Sequence, residues 1–175
     1  MKRFVRPYNF WQGINTRILD YGSGIGYFIK ESMDSGFAVC GIEKSDAAIK
    51  LAKEKFGIYT SKHTGMSGYD VITMWDVIEH LESPRRTIQN LLLSLDKGGY
   101  MFVETANAEF WDKKDNWAYL NIDHNYYFTQ NALVRLMESE GLKFVGIINT
   151  RKYLRYLFPI VKKSNKVLTI YVFRK

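Results

Sequence analysis

Three groups of residues in this sequence could do chemistry, and each follows a strand-like apolar run. The first is Ile18-Leu19-Asp20-Tyr21-Gly22-Ser23-Gly24-Ile25-Gly26, a G-x-G-x-G turn between a strand and a helix. Glycines there let the main chain enter conformations barred to other residues and let a ligand approach without meeting a Cβ. The spacing narrows the ligand. A dinucleotide site needs G-x-G-x-x-G, with a pyrophosphate at the helix N-terminus. Counted from Gly22 the third glycine falls on Tyr27, and from Gly24 it falls on Ile29. The turn therefore favours an uncharged, nucleoside-like ligand. The second group is Glu43, at the end of the next apolar run. A carboxylate in that place can accept hydrogen bonds from both hydroxyls of a ribose. Alone it would read as a solvated loop acid, but beside the turn it reads as the other half of a nucleoside site.

The third group is Trp75-Asp76-Val77-Ile78-Glu79-His80-Leu81, which closes a further apolar run. Open parallel sheets bind ligands at such carboxyl ends. A free imidazole titrates at about 6.5, suited to taking a proton from an attacking hydroxyl, which makes His80 a candidate base. The plain alternative for His80 is a structural hydrogen bond. Asp76, Glu79 and His80 also have the spacing of helix neighbours and could gather round a divalent ion, although a metal-free site is the expectation. His124 is a second candidate base. It lies in a stretch crowded with Phe110, Trp111, Trp117, Tyr119, Tyr126, Tyr127 and Phe128. Aromatic faces with scattered polar groups suit a pocket for a sugar or an aromatic ring, or else a covering layer on the sheet.

These groups need a scaffold of alternating strands and helices. Apolar runs at Thr16–Tyr21, Phe37–Glu43, Ile58–Thr60, Tyr69–Trp75, Tyr100–Thr105, Leu142–Asn149 and Val167–Phe173 read as seven strands. Between them, helices are expected at about 26–35, from the Ser45 cap to Phe56, from Pro84 to Lys97-Gly98-Gly99, and from the Thr129 cap to Glu140. The pattern predicts a doubly wound, Rossmann-like α/β fold. Its mostly parallel seven-stranded sheet would carry an antiparallel edge strand and helices on both faces. The 175 residues fit one domain, with 1–15 as a short leader and 151–166 as a basic insert before the last strand.

Composition excludes some classes. Charged residues are 25% and hydrophobic ones 46%, so the chain is globular rather than disordered. Its one cysteine, Cys40, lies in an apolar strand and is expected to be buried and inert. No signal-length or membrane-spanning apolar run occurs, and a cytoplasmic location is expected. The net charge of +7 is uneven. Lys2, Arg3 and Arg6 at one end, and eight basic residues within 151–175 at the other, have no acid among them and leave the middle at −4. Such ends could attract a phosphate-bearing substrate, nucleic acid or an anionic membrane, or form a solvated fringe.

Five segments in order, ILDYGSGIGYF, VCGIEKS, YDVITMWDVIEHL, LLLSLDKGGYMFVETAN and HNYYFTQNALVRLMESEGLKFVG, resemble class I S-adenosylmethionine-dependent methyltransferases over about residues 16–150. The likeness is strongest to the branch with ubiquinone-pathway and sugar O-methyltransferases. It implies S-adenosylmethionine as cofactor, held by Asp20, Gly22, Gly24 and Gly26 at its methionine part and by Glu43 at its ribose. It also implies that main-chain groups of Trp75 and Asp76 lie near the sulfonium, where the Asp76 carboxylate would suit the cofactor's positive charge. The expected reaction is O-methylation of a small acceptor: a sugar, a nucleotide-sugar or an aromatic ring. The segment Ser61–Gly68 departs from the pattern, lacking the acid that usually touches adenine and offering His63, Thr64 and Ser67. Relatives often carry a helical lid where this chain has about 15 residues. Its place could be taken by a partner subunit, as in a homo-oligomer, or by the basic insert. Two rivals stand beside this reading: an inactive binding protein on the same fold, and an RNA-directed methyltransferase using Arg151-Lys152-Tyr153-Leu154-Arg155-Tyr156. Membrane-surface binding through Tyr153–Val161 is a weaker third.

Overall fold

In a computed structural model of the chain, residues 16–63, 65, 67–110, 122–148 and 168–175 are described. The leader, the basic insert, Thr64, Trp111, Trp117 and Tyr119 lie outside the described residues. Strand β1 (Arg17–Tyr21) shows how the sheet divides its side chains. Ile18 and Leu19 are both buried, yet they join different apolar clusters on opposite faces, because successive strand residues point in opposite directions. Strands β2 (Ala38–Ile42), β3 (Tyr69–Trp75), β4 (Leu95–Ala106), β5 (Lys143–Ile148) and β6 (Leu168–Arg174) complete the sheet in the order β2-β1-β3-β4-β6-β5. Pairings among β1, β2, β3 and β4 are parallel. Helices α1 (Tyr27–Asp34), α2 (Asp46–Phe56), α3 (Pro84–Ser94) and α4 (Gln130–Ser139) connect and cover them.

One face buries Ile72, Met74, Met101, Val103 and Phe173 under Ile88 and Leu91 of α3 and Leu133 and Met137 of α4. Phe28 of α1 packs on the opposite face, where its ring lies 5.1 Å from Trp75. The helix starts follow the expected chemistry. Ser45 accepts from the Ala48 N–H and Thr129 from the Ala132 N–H, as N-caps do. Within α2, Ala52 is fully buried but Leu51 is exposed. Cys40 is half-buried rather than buried. Among the described residues no helix is long and apolar enough to cross a membrane.

Three expectations need correction. Six strands are described, not seven, because Ile58–Thr60 makes none. Gly57 ends α2 in the left-handed conformation and the Ile58 N–H returns to the Ala52 carbonyl. The Ile58 side chain is thereby drawn between α1 and α2, leaving only Ser61 to bridge Ile42. Helix α3 stops at Ser94 rather than at the glycine pair. Leu95 already pairs with Tyr69, and the residues before Tyr100 form an irregularity in the strand. Lastly, the antiparallel pairing at the expected edge is made by β6, which lies one place in and binds β4 on one side and the outermost β5 on the other.

Candidate functional site

The chain leaves β1 for β2 on one side and returns through β3 on the other, so a crevice opens at the carboxyl ends of these strands. The glycine turn fills its floor. Gly22 and Ser23 both donate to the Ile42 carbonyl, at 2.8 and 3.0 Å, binding the turn to the end of β2. Gly22 has φ 78°, and a Cβ there would lie 2.4 Å from a Val77 methyl. Gly24 has φ 54°, and a Cβ there would meet nothing within 4 Å, so its main chain borders open space. Gly26 begins α1.

Glu43 reaches back to this turn. Its Oε2 accepts from the Gly24 N–H at 2.7 Å, and its Oε1 accepts from the Ser45 N–H at 2.8 Å. Two charge-assisted bonds fix the carboxylate, and a carboxylate has about four acceptor positions, so two remain for a ligand. The glycine turn and the Glu43 carboxylate are thus held side by side. A cavity of about 280 Å³ lies beside them, lined by Tyr21, Gly22, Ile42, Glu43, Lys44, Asp76, Val77, His80 and Leu81.

The remaining expected residues take different positions. Asp20 is buried behind the turn, where it accepts from the Thr73 hydroxyl at 2.7 Å. Burial, reinforced by the Glu43 charge, raises its pKa to about 7. Trp75 turns its ring away from the cavity onto Phe28, and its indole nitrogen has no hydrogen-bond partner among the described residues. Asp76 faces the cavity with φ 52°, a conformation uncommon outside glycine and held here by its surroundings. Desolvation and the Glu79 charge raise its carboxyl to about 6.

His80 and His124, far apart in sequence, form one pair. Their ring centroids lie 4.7 Å apart at 80°. His80 Nδ1 lies 2.9 Å from the Asp123 carbonyl. A carbonyl only accepts, so Nδ1 carries the proton, and in the neutral ring Nε2 is the bare nitrogen. Residues 123–126 thus close over the segment after β3. Tyr126 stacks on Phe128 at 5.8 Å, and Phe128 is buried in the core, so the aromatic stretch is partly a covering layer. Tyr127, near His124 at 5.8 Å, stays exposed.

Two residues around the site, Glu104 and Thr73, carried no assignment from the sequence. Glu104, at the end of β4, is lifted to about 7 by burial and by the Asp76 and Glu79 charges. Burial also raises Glu79, despite bonds from Thr105 and the Ala106 main chain, and its Oε2 has no partner among the described residues. An acid at a strand's carboxyl end was the available signal for Glu104. Thr73, polar in an apolar strand, was the signal for a partner to Asp20. Glu79, His80 and His124 offer ligand atoms within 4.8 Å of one another, close enough for one divalent cation to share. Asp76, expected in such a group, is replaced there by His124.

Comparison with known proteins follows the same outline. The model of the methyltransferase domain matches residues 2–146. A ubiquinone biosynthesis O-methyltransferase of Nitrosomonas europaea is 28% identical over 155 residues, covering 75% of this chain and 65% of the relative. The chain thus spans just under two thirds of that protein. Among solved structures, an S-adenosylmethionine-dependent methyltransferase from Mesorhizobium loti superposes with a TM-score of 0.70 at 14% identity, covering 96% of this chain and 95% of that one. Phosphoethanolamine N-methyltransferase 2 of Haemonchus contortus, in complex with S-adenosyl-L-methionine, superposes with a TM-score of 0.68 at 14% identity, covering 92% and 49%. Those two likenesses concern the fold.

Proposed function

The chain belongs to the methyltransferase domain family, and on that premise we propose that it transfers the methyl group of S-adenosylmethionine to an oxygen of a small acceptor. The observation that carries this reading is the Glu43 carboxylate, bonded to the Gly24 N–H in the same hollow as Asp76 and His80. The residues fit the cofactor. Glu43 keeps two acceptor positions for a diol, the main chain at Gly24 is unobstructed, and Asp76 supplies negative charge for a cationic ligand. The O-methyltransferase relatives support oxygen as the atom methylated. The open rings of Tyr126 and Tyr127 support a sugar or aromatic acceptor.

The cofactor, when bound, supplies an electrophilic methyl group. The chain does the rest. Glu43 and the glycine turn hold one reactant, and the 122–128 segment shields the other, so that alignment supplies much of the acceleration. His80 takes the hydroxyl proton on Nε2, since Nδ1 is committed to the Asp123 carbonyl.

Calorimetry with S-adenosylmethionine and S-adenosylhomocysteine tests the binding half. Wild type binds both, and Glu43→Ala binds each about tenfold to a hundredfold more weakly, as loss of a charged hydrogen-bonding group implies. Absence of binding by wild type would overturn the reading. The chemical half is tested by label transfer from methyl-labelled S-adenosylmethionine to a catechol or a nucleotide sugar. His80→Ala slows that transfer by about a hundredfold with cofactor affinity unchanged.

A further inference from the structure

Four hydrogen bonds tie residues 125 and 126 to the main chain of 79–82. The Asn125 N–H donates to the Glu79 carbonyl at 2.8 Å, and the Asn125 side-chain Nδ2 donates to the His80 carbonyl at 3.0 Å. The Tyr126 N–H also donates to the Glu79 carbonyl, at 3.1 Å, and the Tyr126 hydroxyl donates to the Glu82 carbonyl at 3.1 Å. Both residues use main chain and side chain, and the Asn125 side chain is the one that bonds His80 itself. Its amide orientation follows from its partner, because a carbonyl requires the NH₂ end. The outcome of this clamp is the placement of the Asp123 carbonyl, two residues before it, against His80 Nδ1.

That placement has a chemical consequence. The neutral ring of free histidine prefers its proton on Nε2, the form that presents no base at that atom. Within this chain the carbonyl imposes the opposite tautomer. A ring in the wrong tautomer cannot accept a proton at the required nitrogen however well it is aimed, and in other enzymes such an error costs orders of magnitude in rate.

We propose that Asn125 is the positioning residue for His80. It holds the 123–126 segment so that the Asp123 carbonyl selects the Nδ1–H tautomer and leaves Nε2 bare for the acceptor hydroxyl. The proposal rests on His80 being the proton acceptor, and it assigns a role within the reaction to a residue that touches neither reactant.

The full chain, labelled with ¹⁵N-histidine, tests this directly. Its three histidines give resolvable ring signals, and His80→Ala identifies the one that matters. At about pH 8.5, where an ordinary imidazole is neutral, wild type shows His80 protonated at Nδ1. Asn125→Ala shifts the ring towards the Nε2–H form. Asn125→Asp keeps the main-chain bond and side-chain shape, loses the donor to His80, and gives a smaller shift in the same direction. This second variant decides the matter if the alanine form does not fold. Tyr126→Phe loses a bond to the same stretch and keeps the wild-type tautomer. In methyl transfer to a catechol, kcat of Asn125→Ala falls about tenfold or more while KM for S-adenosylmethionine stays near its original value. An unchanged Nδ1–H signal in a folded Asn125 variant overturns the proposal. A shifted tautomer with unchanged kcat leaves Asn125's hold on the ring standing and instead removes His80 as the base.

Discussion

Glu43 accepts two main-chain N–H groups through the same oxygens that a ribose would use, and this shapes what substitution does. Glu43→Gln keeps the volume but turns an NH₂ towards one of those donors, so both the turn and the ligand lose a partner. Its affinity for S-adenosylmethionine, read by calorimetry, falls by about tenfold or more. The buried acids give a pH dependence with a definite sign. Asp20 titrates near 7 in the folded chain and at 3.8 ordinarily. Between those values the folded state holds the extra proton, so this contribution is complete below about pH 4 and is lost as pH rises through 7. The shift corresponds to at most about 4 kcal/mol. Asp20→Asn keeps an oxygen for the Thr73 hydroxyl and cannot ionise, so its melting temperature declines less than wild type's between about pH 5 and about pH 8. Asp76, near 6, ionises over part of the same range. S-adenosylmethionine, with its sulfonium, therefore binds more tightly as pH rises from about 5 to about 7.5, and S-adenosylhomocysteine, which lacks that charge, gains less. Glu43, the glycines and His80 were legible because each sits where a strand ends. The Asp20–Thr73 bond and the lifted Glu104 were not. They depend on which residues of β1, β3 and β4 lie opposite one another, and no local pattern states that register.

At the scale of elements, the turn after β1 and the segment after β3 are fitted to each other. Gly22→Ala sets a methyl against Val77 and places alanine at positive φ, for an expected loss of about 2–4 kcal/mol in denaturant unfolding. Adding Val77→Ala relieves the contact but not the backbone strain. The double variant should therefore lose less than the two single changes together, and strict additivity would show that the contact carries no energy. Sequence located the starts of α2 and α4 because Ser45 and Thr129 act locally, each bonding an N–H three residues on. It misplaced the start of β4, where pairing of Leu95 with Tyr69 overrides the helical pattern, and it read Ile58–Thr60 as a strand. Ile58 is apolar because it packs between two helices, and a run of three cannot distinguish the two uses.

For the molecule as a whole, the order of motifs along the chain specified the family and the mostly parallel sheet, while the meeting of His80 with His124 required the fold. That meeting raises one question for the complete catalyst. If His80 works as a base, a chelator leaves methyl transfer unchanged, whereas added Zn²⁺ inhibits by occupying the Glu79, His80 and His124 groups. Loss of transfer on chelation, restored by metal, would instead make the cation part of the machinery and His80 its ligand.

The reversed strand also matters before the protein is finished. Because β6 enters between β4 and β5, neither partner can be satisfied while the ribosome is still short of Leu168. Until then a nascent chain exposes the full outer flank of β4, and β5, which pairs only with β6 among the described strands, has no strand partner. Such bare flanks invite association between chains. Slowing translation just upstream of Leu168 should therefore increase aggregation more than the same delay placed before β3.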